Sequence, residues 1–84
     1  MMYASVEFTE SAFKHGIRKE DILWAFNNYH FDGPIEGEGN KLLRLGFDRS
    51  GNLLEIMYNE SNEFEAKVFH AMVCRSFFYP LLDS

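Results

Sequence analysis

Three runs with strand character restrict the fold of this chain more than any other feature of its sequence. They cover residues 41–48, 52–59 and 64–73. The first break, Asp48-Arg49-Ser50-Gly51, leads with Asp and closes with Gly, the preferences of a type I turn. The second, Asn59-Glu60-Ser61-Asn62-Glu63, is uniformly polar. Two consecutive β-hairpins running into a C-terminal helix are therefore expected.

The pattern extends to a register. Pairing Phe47 with Asn52 sets Leu45 opposite Leu54 and Leu43 opposite Ile56. Pairing Tyr58 with Phe64 sets Ile56 opposite Ala66 and Leu54 opposite Val68. One face is then nearly all apolar, as a sheet with one buried side requires. The same register lines up Arg44, Glu55 and Lys67 on the other face, where opposed charges contribute about 0.2–1 kcal/mol per pair. A slip of one residue in either hairpin removes this agreement. Leu53 and Phe69 share the Arg44 face, so either the C-terminal turn folds back over them or they await a partner.

Upstream, residues 1–8 alternate loosely and suit a short strand or an extended arm. Thr9 is a fair N-cap for a short helix over residues 10–14, with Glu10 in its first turn and Gly16 beyond its end. A second helix, residues 19–28, has an acidic first turn, Ile17 placed to staple onto Ile22, and Arg18 as a poor N-cap. Ile22, Phe26 and Tyr29 form its apolar stripe, which Leu23 and Trp24 widen. Residues 31–40 read as a loop with a short edge strand around Ile35, and residues 75–82, interrupted by Pro80, as one or two helical turns. The expected fold class is α+β: two short N-terminal helices packed on a three- to four-stranded antiparallel sheet, with a short C-terminal helix.

With 84 residues and 46% hydrophobic content, the chain suits one domain, and nine Phe supply enough buried area for a core without staples. The lone Cys74 cannot form an internal disulfide, which favours a reducing, cytoplasmic setting. No leader pattern opens the chain and no apolar run approaches the ~18 residues of a membrane span, so no membrane partner is expected. Eight Lys and Arg against thirteen Asp and Glu give a net charge of −5. A sequence-independent nucleic-acid binder usually has a basic balance, so RNA contact here needs a local basic patch on an acidic body.

Three segments carry a family resemblance. Lys14-His15-Gly16-Ile17-Arg18-Lys19-Glu20-Asp21-Ile22 resembles the opening of BrnT-like toxins. Gly46-Phe47-Asp48-Arg49-Ser50-Gly51-Asn52-Leu53-Leu54-Glu55-Ile56 is similar to their hairpin. Phe69-His70-Ala71-Met72-Val73-Cys74-Arg75-Ser76-Phe77-Phe78-Tyr79 is similar to the ending of small toxin-like proteins of the same broad group. The segments stand in the family's order. The resemblance implies a RelE/ParE-like fold, a type II toxin–antitoxin pair with an antitoxin encoded beside the toxin, and mRNA cleavage without a metal. Such cleavage needs a base, an acid and a cation around the 2′-hydroxyl and the phosphate. Met72 and Val73 stand where the family carries an Arg-Lys pair.

Candidate residues follow, each with a plainer alternative. His70 ends the last strand and suits proton transfer, or is a hydrogen-bonded histidine at the rim of the core. Arg75 resembles the family's retained Arg and suits a phosphate, or pairs with a carboxylate. Tyr79, at i+4 from Arg75, lines the same site or finishes a core cluster with Phe77 and Phe78. Glu55 is a candidate base, and Arg44 and Lys67 candidate substrate-binding cations, unless the row is a solvated ladder of charges. His15 caps the first helix or contacts substrate, and His30 reads as a loop histidine. The histidines lack ligand spacing, so neither a metal nor a cofactor is indicated.

Two functions remain open. One is a toxin with endoribonuclease activity, partnered by a cognate antitoxin and acting on RNA. The other is a non-catalytic protein-binding module on the same scaffold, forming oligomers or capturing a cognate chain, which the acidic charge and Met72-Val73 favour. Leu45, Leu54 and Val68 on opposite sides of the sheet would end this case, and the toxin reading would go with it.

Overall fold

Asp48 decides how the first hairpin is built. Its carboxylate accepts the N–H groups of Ser50 and Asn52, each at 2.9 Å, and the Asn52 side-chain amide. Asp48 N–H donates to the Asn52 carbonyl at 2.9 Å, so these two residues close the ladder. The connection between them is Arg49-Ser50-Gly51, with Gly51 at φ 86°, a conformation that favours glycine. The expected turn holds four residues; this one holds three. Phe47 accordingly pairs with Leu53, Leu45 with Glu55 and Arg44 with Ile56.

The computed structural model describes residues 3–83. Strand β1 (Ser5–Phe8) and a 3₁₀ turn (Glu10–Phe13) precede helix α1 (Lys19–Asn27). Strands β2 (Tyr29–Pro34), β3 (Leu42–Phe47), β4 (Leu53–Asn62) and β5 (Glu65–Val73) follow, then a terminal 3₁₀ segment (Ser76–Asp83). The described strands form a five-stranded sheet in the order β1-β5-β4-β3-β2. Strand β1 runs parallel to β5, and the other pairs are antiparallel.

The α+β class holds, but the expected RelE/ParE-like layout of two N-terminal helices on a three- to four-stranded antiparallel sheet does not. The sheet is mixed and has five strands. Residues 10–14 give only a 3₁₀ turn, because the Thr9 hydroxyl engages Ser11 and the Val68 carbonyl and caps no helix. Residues read as helix end and loop become β2, whose exposure alternates strictly from Tyr29 to Pro34. Pro34 is tolerated there because β2 is an edge strand. The strand or arm expected over residues 1–8 includes Met1 and Met2, which lie outside the described residues, and β1 supplies its second half.

Both faces of the sheet are covered. On one, Ile22, Ala25 and Phe26 of α1 bury against Leu54, Ile56, Tyr58, Val68 and Ala71. On the other, Leu43, Leu45 and Cys74 are buried beneath Phe78, Leu81 and Leu82 of the terminal segment. Leu45 therefore lies across the sheet from Leu54 and Val68. The second hairpin also departs from expectation: β4 continues through the polar residues to Asn62, and Tyr58 pairs with Val68. Arg44, Glu55 and Lys67 form no row, since Lys67 pairs with Asn59 and Glu7. Leu53 is packed beneath the terminal segment, while Lys41 Nζ sits 5.7 Å over the Phe69 ring.

Helix α1 can lie this close to the sheet only because residue 46 lacks a side chain. A Cβ on Gly46 would meet the Ala25 carbonyl oxygen at 2.2 Å, and that oxygen is backbone and cannot rotate away. Gly46→Ala is expected to destabilise the fold by about 2 kcal/mol through overpacking. Urea unfolding checks this; an unchanged midpoint would refute the close approach.

Candidate functional site

Glu55 is fully buried on the face opposite α1, beneath the junction of β5 and the terminal segment. Three protein groups converge on its carboxylate. The Arg75 backbone N–H donates to Oε1 at 2.8 Å, Arg75 Nη2 to Oε2 at 2.6 Å, and Nε reaches both oxygens at 3.1 and 3.2 Å. His70 Nε2 lies 2.9 Å from Oε2.

His70 reaches this face because of a β-bulge. Val68 pairs with Tyr58 and His70 with Met57, neighbours on β4, so Phe69 is the extra residue. Strict alternation from Val68 would have pointed His70 toward α1; the bulge re-aims it. The 3₁₀ turn fastens onto the same irregularity, with Ser11 Oγ donating to the Phe69 carbonyl at 2.7 Å and Thr9 N–H to that of Val68 at 2.9 Å. His15, just beyond this turn, thereby comes beside His70, with ring centroids 5.5 Å apart at 77°.

Burial works to raise the pKa of Glu55, but hydrogen bonds from Arg75 and His70 outweigh it and hold the carboxyl below its ordinary range. The hydrogen bonds between Arg75 and Glu55 in turn raise the pKa of Arg75. Burial, with Glu55 adding to it, pushes the Cys74 thiol up, so this cysteine stays protonated. An ionised carboxylate only accepts hydrogen bonds, so His70 Nε2 must carry a proton. In neutral His70 the lone pair then sits on Nδ1. The Arg75 side chain is 44% exposed, and no hydrogen-bond partner among the described residues reaches its Nη1. The cluster thus offers a cation with one uncommitted edge and two neighbouring imidazoles, which can bind a phosphate and move protons beside it.

Of the residues singled out in the sequence, Glu55, His70, Arg75 and His15 come together. Arg44 does not: it is buried on the α1 face, bonded to Asp32 and to the Phe26 carbonyl. Lys67 is exposed, pairing along the strand with Asn59 and Glu7. Tyr79 is half-exposed, and no hydrogen bond or ring contact joins it to the cluster among the described residues. His30 makes an edge contact with Phe47. Nothing in the local pattern signals that Glu55 is buried, and Phe77, read as core, is mostly exposed next to Arg75.

Among the described residues, no group of three or more His, Cys, Asp or Glu is placed to hold a metal ion, and no helix is long and apolar enough to cross a membrane. A groove of about 290 Å³ lined by Glu20, Trp24, Asn27 and Arg49 lies elsewhere and contains no histidine. Comparison with known proteins gave no match to a family model, a curated protein or a solved structure.

Glu55→Gln removes the charge that holds Arg75 and His70, and should cost about 2 kcal/mol after discounting the exposed guanidinium. Because the native pKa of Glu55 is lowered, its stabilisation is complete above the ordinary value of 4.5 and is lost as pH falls through the native value. Urea titrations from about pH 5 to about pH 3 should therefore narrow the gap between wild type and variant. A gap independent of pH would refute the ionised clamp.

Proposed function

We propose that the chain cleaves RNA without a metal. The observation carrying this reading is the buried Glu55 carboxylate that holds His70 and Arg75 at 2.9 and 2.6 Å while His15 stands beside them. In this mechanism neutral His70 takes the 2′-hydroxyl proton on Nδ1, and the 2′-oxygen attacks the adjacent phosphorus. Arg75 stabilises the charge that builds on the phosphoryl oxygens. The P–O5′ bond breaks as the leaving oxygen takes a proton from protonated His15, giving a 2′,3′-cyclic phosphate and a 5′-hydroxyl. Glu55 touches no substrate and is a positioning residue.

The toxin context is supported by the order of the three resembling segments. The toxin reading is given up all the same, since Leu45 lies across the sheet from Leu54 and Val68. The net charge of −5 favours the second reading, a non-catalytic binding module in which the Glu55–Arg75 pair only fastens the terminal segment.

The test is incubation of purified protein with a single-stranded RNA in the presence of a chelator. Cyclic-phosphate products are expected, with His70→Ala and Arg75→Ala slower by at least about 100-fold while retaining the wild-type circular dichroism. Induced expression should arrest growth in the wild type and not in these variants. Intact RNA and normal growth with the wild type would refute the proposal and leave the binding module.

A further inference from the structure

We infer that the site takes single-stranded RNA and that Phe77 stacks a base next to the phosphate held by Arg75, an inference that rests on the ribonuclease reading. The terminal segment presents two adjacent rings with opposite fates. Phe78 packs onto the cluster of Leu43, Leu45 and Cys74, fixing the segment to the sheet. Phe77 takes no part in that cluster and is 63% exposed. Its ring centroid lies 4.5 Å from that of Phe78, at 49°, so the partly buried ring supports the exposed one. The Arg75 guanidinium carbon sits over the Phe77 ring, 4.9 Å from its centroid.

An exposed aromatic ring beside a cation with one uncommitted edge is the pairing that single strands use, phosphate on the charge and base on the ring. A duplex keeps its bases stacked on one another and cannot offer one to the ring. The charge balance points the same way. A chain with net charge −5 gains little from releasing counterions, so it needs a contact that is not electrostatic. Stacking supplies one, and every base has a face to give.

The test uses a fluorescent 2′-O-methyl single strand, which lacks the attacking hydroxyl, beside an abasic strand of equal length and a duplex. Wild type should bind the single strand well above the other two. Phe77→Ala should weaken that binding about tenfold or more, and Phe77→Trp should restore it. The abasic strand should bind wild type and Phe77→Ala equally. The dependence on salt should be shallow, a slope of about −0.7 in log K per phosphate engaged. If Phe77→Ala binds like wild type while Arg75→Ala binds weakly, the stacking role is refuted and the ribonuclease reading survives. Equal binding of duplex and single strand also refutes it. No binding of any strand by the wild type refutes both.

Discussion

A guanidinium buried between α1 and the sheet sets the terms for that whole face. Arg44 is 1% exposed, and its charge is kept by Asp32 at 3.2 Å and the Phe26 carbonyl at 3.0 Å. The rings of Phe26 and Tyr29 lie 4.1 and 4.0 Å from its carbon, with Tyr58 and Tyr3 slightly farther. The Tyr58 hydroxyl donates to the same Asp32 oxygen at 2.5 Å. Burial, with Asp32 adding to it, raises the Tyr58 pKa far above the ordinary phenol range, so it remains a donor. Strands β2, β3 and β4, helix α1 and the N-terminal arm all meet at one cation. Losing Asp32 would leave this buried guanidinium without its carboxylate, whereas Asp32 itself is about a third exposed and can still meet water.

Glu55 does the converse job on the opposite face. It is a buried anion, and the groups that satisfy it lie where β5 ends and the terminal segment begins. The two clamps differ in one respect that bears on function. Arg44 is sealed among rings, whereas Arg75 keeps part of its side chain in water. Only the second can present a charge to a ligand. The bulge at Phe69 belongs to the same design, since it turns His70 toward Glu55 and gives the 3₁₀ turn carrying His15 a carbonyl to grip.

These features leave part of one guanidinium of an acidic chain open to solvent. Glu55 fixes one cation and one imidazole without exposing its own carboxylate. The exposed Phe77 ring adds apolar surface at the same place.

The sequence by itself determined several local elements: α1, the three long strand runs, and a turn at Asp48 and Gly51. It also held the site residues within two short segments and Glu55. Only the tertiary structure decided which side of the sheet each residue faces. Strands covered on both faces lose their alternation, as Leu42-Leu43-Arg44-Leu45 and Leu53-Leu54-Glu55-Ile56-Met57 do, so periodicity carries no sign of direction. Direction then depends on integers, the length of a turn and the presence of a bulge. The side-chain hydrogen bonds of Asp48 and the extra residue at Phe69 fix those integers. One residue more in the turn, or none in the bulge, would send Arg44 and His70 to the other faces.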